Sequence, residues 1–194
     1  MTDWVRVYAE GVAAVAALVT TLTDDELTTA VPATPAWTVH DVVAHLAGTA
    51  VDATTDQMDG APGAAWTQRQ VEERRDAEVA ELVAELRGTL PSMTPVIEAS
   101  QPPRLVWNLV VHLTDLAEAL GRPAPAPELW QPVLAALRDL VPEPLRGADD
   151  YELFRVLFSR RSRAQVAALA GGAQVGDVGV FGGRDDDQPR AAAG

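Results

Sequence analysis

The chain has 194 residues, 47 % of them apolar, and a formal charge of −13; this is enough apolar mass for one core without disulfide staples. Its 28 acids against 15 basic residues repel phosphate backbones and anionic bilayers, which argues against nucleic acid or membrane partners. Lys and Cys are both absent, so there is no phosphate-loop or Schiff-base lysine, no disulfide, no thiolate zinc site and no cysteine nucleophile. Any thiol chemistry here must draw its sulfur from a cosubstrate. The first six residues lack the basic run of a signal peptide and the longest apolar stretch, Gly11 to Val19, is too short to span a bilayer, so the expectation is a cytoplasmic protein.

Helical spacing dominates and strand alternation is nearly absent. Trp4, Tyr8, Val12, Val15 and Leu18 recur at helical steps and predict an amphipathic helix over 3–22, with Thr2 as its cap. A Thr/Pro/Ala-rich loop over 28–37 leads to Thr38-Val39-His40-Asp41, a capping-box variant that opens a second helix running to about Met58. After the break 59–63, the charge-rich stretch from Trp66 to Leu90 reads as a third helix with one face in water, and Pro91 and Pro95 bracket a turn. A fourth helix spans Arg104 to Leu120 and is stopped by Gly121-Arg122-Pro123. Beyond a linker at 123–127, shorter helices are expected over 129–140, 149–159 and 162–169. Residues 171–183 are glycine-rich with valines suited to a strand or to packing, and 185–194 read as a disordered tail. The expected organisation is a bundle over 1–122, a helical extension packed on it over 123–184, and the tail.

Few residues can carry chemistry. On the second helix Asp41, His45, Thr49, Asp52 and Asp56 fall on one stripe; on the fourth, Arg104, Asn108, His112 and Asp115 do the same among apolar faces. A helix that apolar is expected to be buried, so its polar stripe needs solvent or an internal cavity. His45 and His112 meeting across the bundle would offer two imidazoles to a divalent metal, with Asp115 placed to orient the second ring; the bland alternative is hydrogen-bonded core histidines. His40, at the second position of its helix, is expected to be exposed. No G-x-S-x-G, H-E-x-x-H or calcium-loop pattern occurs. Arg160, Arg161 and Arg163 form a positive spot suited to a carboxylate or phosphate, or simply to pairing with Asp149, Asp150 and Glu152.

The segment Pro35-Ala36-Trp37-Thr38-Val39-His40-Asp41-Val42-Val43-Ala44-His45-Leu46 resembles that of the mycothiol-dependent maleylpyruvate isomerase family of the DinB-like superfamily. Val111-His112-Leu113-Thr114-Asp115-Leu116-Ala117, and the run from Tyr151 to Gln165, resemble two further segments of that family in the same order. The resemblance implies an all-α, up-down four-helix bundle with additional C-terminal helices. It also implies a divalent metal, commonly zinc, held by His45, by position 108 and by His112, with mycothiol supplying the sulfur that attacks a small electrophile in an isomerisation or S-transfer. The family has Glu at the middle position and this chain has Asn108; an amide is a poorer zinc ligand than a carboxylate. Asp52, about 10 Å further along the helix than His45 at the usual rise, is the nearest acidic substitute. Arg104 or the Arg160–Arg163 cluster would bind carboxylates of thiol or substrate. Two readings follow: a metal-dependent, mycothiol-using enzyme, or a noncatalytic module that binds a small molecule or dimerises after losing its carboxylate ligand. A monomer and a homodimer are both compatible with the sequence.

Overall fold

The computed structural model describes residues 2–192. Helices take up 60 % of the chain, and among the described residues there is no strand, so the all-α reading holds; in the stretch 171–183, Val175 and Val178 pack against the core while Val180 is exposed. In chain order the helices are α1 (Trp4–Val19), α2 (Asp24–Leu27), α3 (Val39–Thr54), α4 (Ala64–Glu73), α5 (Val79–Gly88), α6 (Leu90–Ala99), α7 (Arg104–Ala119), α8 (Pro127–Leu137), α9 (Asp150–Leu157) and α10 (Arg163–Leu169). No helix among the described residues is long and apolar enough to cross a membrane.

α1, α3, α5 with α6, and α7 make the bundle: α3 packs on α5, α6 and α7, and α1 packs on α5, α6 and α7. α4 lies against α3, while α8 joins α1 and α7 to α9. One hydrophobic cluster runs from Val7 to Val166 and takes in residues of α1, α3 and α5 through α10, so the C-terminal helices share the bundle's core.

The start of α3 is as the sequence predicts. Thr38 Oγ1 accepts the Asp41 N–H at 3.2 Å and the Asp41 carboxylate accepts the Thr38 N–H at 2.8 Å, which satisfies two N-terminal donors reciprocally. α1 is capped one residue later than expected, by Asp3 accepting from the Arg6 N–H at 3.0 Å.

The expected third helix, 66–90, is broken. It ends at Glu73 and restarts at Val79, where the Glu81 carboxylate accepts the Glu78 N–H at 3.0 Å. Arg74 then reaches across the break to Glu85 at 2.7 Å. The break frees the Ala77 carbonyl, which His40 Nε2 bonds at 2.8 Å, so His40 is half-buried and held, not exposed. The expected turn at Pro91–Pro95 is helix α6. Pro91 stands in its first turn, where no N–H is needed, and Pro95 faces solvent, where water serves the carbonyl it leaves unpaired.

Residues 185–192, expected in a disordered tail, lie along the body: Gln188 is buried and its N–H donates to Gln165 Oε1 at 3.1 Å, while Ser162 Oγ donates to Asp187 at 2.5 Å. Short polar side chains here find partners at the α10 cap, which composition alone does not reveal. Residues 193–194 of that expected tail lie outside the described residues.

Candidate functional site

α3 and α7 bring their polar stripes together inside the bundle. His45 and His112 are both buried, with ring centroids 5.1 Å apart and planes at 81°. Asn108, one turn before His112, faces them, its Nδ2 donating weakly toward His45 Nε2 across 3.4 Å.

The His45 ring is fixed by a chain of buried polar groups. Asp52 carries only acceptors and takes a hydrogen bond from Gln70 Nε2 at 2.7 Å and from Arg69 at 2.7 Å. Gln70 must therefore turn its oxygen the other way, where Oε1 accepts from His45 Nδ1 at 2.8 Å and from Thr49 Oγ1 at 3.3 Å. The proton of His45 thus sits on Nδ1, and Nε2 presents a lone pair to Asn108 and His112. Burial, reinforced by the neighbouring His112, pushes the His45 pKa down to about 3.

Aromatic side chains close the site. Trp37 lies over both imidazoles, its centroid 4.9 Å from that of His45 and 6.1 Å from that of His112, and Trp66 meets His45 edge-on at 6.1 Å. Trp66 is itself held by donation to the Gln57 carbonyl at 3.3 Å.

Asp115 stands beside His112 with Oδ2 3.1 Å from Nδ1, a close contact that is out of line for a hydrogen bond. Its stronger partners are arginines: Arg155 at 2.6 Å and Arg160 at 2.9 Å. One turn on, Glu118 binds Arg155 at 2.7 Å and Arg161 at 2.8 Å, and Arg161 also binds Glu152 at 2.7 Å. Burial would raise the Asp115 pKa, but the charges of Arg160 and Arg155 overcome it and hold the carboxyl well below the ordinary value. The network joins α7 to α9 and to the residues after it.

Of the arginines singled out in the sequence, Arg160 and Arg161 are therefore spent on buried acids and do not form a free cationic spot; Asp115 and Glu118, removed from water, need those counter-charges. Arg163 is exposed and pairs with Asp177 at 2.9 Å and Asp185 at 2.6 Å. Arg104 alone of the four has no ion pair among the described residues. It lines an open groove of about 390 Å³ with Ala53, Met58, Val96 and Leu105, one helical turn from Asn108. Asp56 is exposed at the end of α3, away from the pair. Asp52 is engaged by Gln70 and Arg69, so it supports His45 and does not replace the missing carboxylate.

Sequence reasoning did not identify Gln70, Trp66 or Arg155, and treated Trp37 only as part of a motif. The stripe Thr49–Asp52 held a signal: a buried acid on a helix needs a donor from elsewhere.

Among the described residues no group of three His, Cys, Asp or Glu side chains is placed to hold a metal. What stands ready is a set of two imidazoles, one with its lone pair directed inward, and the Asn108 amide. That set fits a borderline ion such as zinc more weakly than one containing a carboxylate.

Comparison with curated proteins and with solved structures gives no match. The family model of the mycothiol maleylpyruvate isomerase N-terminal domain matches residues 8–130, a span that holds Arg104, His45, Asn108, His112 and Asp115 and stops before Arg155. With more than half of the chain covered, including the segments around His45 and His112, the protein belongs to the mycothiol maleylpyruvate isomerase N-terminal domain family.

Proposed function

We propose that the chain is a metal-dependent, mycothiol-using enzyme that adds or transfers a thiol to a small electrophile, or isomerises it, at the His45–His112 pair. The observation that carries this reading is the paired imidazoles from α3 and α7, 5.1 Å apart, with the His45 Nδ1 edge tied to Gln70 so that Nε2 is left for a ligand. Orientation of a ring through its far nitrogen is how proteins prepare histidines for metal.

His45, His112 and the Asn108 amide would hold the ion. When bound, it lowers the pKa of a coordinated thiol and so supplies a thiolate at neutral pH. The chain's residues do the rest. His45 stays neutral because burial holds its pKa near 3, Trp37 and Trp66 keep water from the pair, and Arg104 meets a substrate carboxylate at the groove. With no Cys in the chain, the sulfur is the cosubstrate's.

Asn108 favours a second reading: a bundle that binds a small thiol or electrophile without metal or catalysis. Elemental analysis of untagged protein after zinc supplementation separates the two. The enzyme reading expects about one ion per chain, and a content below roughly 0.1 removes it. If a small thiol still raises the melting temperature of that metal-free protein, the binding module stands.

A further inference from the structure

We propose that Arg184 is a positioning residue for the imidazole pair: it clamps the loop of residues 31–37 so that Trp37 is held as a roof over His45 and His112. The C-terminal strap, residues 180–186, outside the matched family domain, thereby controls access to the site.

Arg184 reaches this loop from 151 and 152 positions away in sequence. Its guanidinium donates to the Pro32 carbonyl at 3.0 Å and to the Ala33 carbonyl at 3.3 Å. Asp186 orients the fork, accepting from Nε at 2.9 Å and from Nη2 at 2.6 Å. The backbone beneath is anchored too, since the Arg184 carbonyl accepts the Arg163 N–H at the start of α10 at 2.8 Å. The strap leading to it is pinned to α9 by Val180 N–H donating to the Leu157 carbonyl at 2.9 Å and Phe181 N–H to Ser159 Oγ at 3.1 Å.

The loop passes the restraint on. Thr34 N–H donates to the Val31 carbonyl at 2.9 Å, Trp37 N–H to the Thr34 carbonyl at 2.8 Å, and Val31 N–H to the Trp37 carbonyl at 2.9 Å. This closed ring of three bonds moves as a unit, and its last member carries the indole that lies over both imidazoles. Pro32 has no N–H with which to fasten the loop's outer end, so two carbonyls there wait for an outside donor. A planar fork of N–H groups suits that task and a lysine head does not. The clamp exists only when the strap is seated.

This rests on the proposed function only in taking the imidazole pair as the working site; the test reads access to the rings and needs neither metal nor turnover, so the two fail separately. Full-length protein is treated with diethyl pyrocarbonate, and modification of each histidine is followed by peptide mass mapping. Arg184→Ala should raise the rates at His45 and His112 about tenfold through local opening. His40, whose Nε2 is held by the Ala77 carbonyl at 2.8 Å, should change less than about twofold on the same argument. A purely structural role for Arg184 would raise all three together, and that result, or unchanged rates, overturns the proposal. Should Arg184→Ala fail to fold, Asp186→Asn releases the orienting carboxylate alone. It should raise His45 and His112 about threefold with His40 unchanged, and no selective rise in that variant overturns the proposal as well.

Discussion

His45 holds its charge state against the solvent. Its folded pKa of about 3 lies below the ordinary 6.5, so between those values the unfolded chain binds a proton that the folded chain refuses. The stability contributed by neutral His45 is complete above pH 6.5 and drains as pH falls, at up to about 1.4 kcal/mol per unit. In the metal-free protein, His45→Gln should therefore flatten the acid limb of stability. The gap between wild type and variant should close by about 2 kcal/mol from pH 6.5 to pH 5 in urea titrations, and parallel curves would show that folding does not lower the pKa of this ring. Asn108 tests the opposite face of the site. Asn108→Glu adds a carboxylate beside two imidazoles and should tighten zinc at least tenfold in competition with a chromogenic chelator, a gain of about 1.4 kcal/mol. No change would mean that position 108 does not share a ligand with the histidines. His45 and His112 were legible in the sequence because helical spacing put each on a polar stripe. Gln70 was not, because nothing in a lone glutamine says that a buried Asp on the preceding helix will dictate which way its amide points.

At the level of elements, α3 and α4 approach so closely at Gly48 that a Cβ there would lie 2.7 Å from Gln70 Cβ, 2.8 Å from Gln70 Cγ and 3.0 Å from Arg74 Nη1. Gln70 Cβ is fixed to the α4 backbone, so the helix itself must move. Gly48→Ala gains up to about 1 kcal/mol of helix propensity and loses about 1–3 kcal/mol to overpacking, so the variant should be less stable by about 1 kcal/mol. It should also lengthen the His45–Gln70 bond, read as loss or shift of the Nδ1 proton signal in NMR. Gly88→Ala, where a Cβ meets nothing within 4 Å, is the control and should be neutral or mildly stabilising; a Gly48→Ala protein as stable as that control would refute the close approach. The start of α3 and the span of α7 were readable from the capping box, apolar period and the Gly–Pro stop, whereas α1 and α3 end at Val19 and Thr54, short of the expected 22 and 58. The break at 74–78 was not, since Arg74, Arg75 and Asp76 are acceptable helix residues and the break follows from tertiary contacts, Arg74 to Glu85 and His40 to Ala77. Pro91 and Pro95 misled in the other direction, because a first-turn position and a solvent-facing position remove most of proline's cost.

Across the whole molecule, the ion network decides whether the bundle and the C-terminal helices unfold together. Asp115, Glu118 and Glu152 face Arg155, Arg160 and Arg161, so the charges balance only as a set. Asp115 was legible as part of a helix stripe, yet its partner Arg155 lies 40 residues away, and an arginine within the amphipathic α9 looks like any surface residue. Its location says otherwise: the Arg155 side chain is 0 % exposed and salt-bridges two carboxylates. Arg155→Met keeps most of the volume and removes the cation, leaving three acids against two arginines in a medium that solvates charge poorly. The cost should be about 3–5 kcal/mol, the range for stranding one side of a buried pair. Arg163→Ala breaks two ion pairs whose members are exposed and should leave the stability nearly unchanged. The same contrast appears in salt, since 0.5 M NaCl should leave the wild-type melting temperature nearly unchanged if the stabilising pairs are the buried ones. Denaturation followed by far-ultraviolet circular dichroism and by tryptophan fluorescence should give coincident curves for wild type. For Arg155→Met the two should either shift together by the full amount or separate as α8 to α10 loosen first. Equal, small losses for Arg155→Met and Arg163→Ala would mean that the network does not bind the C-terminal helices to α7.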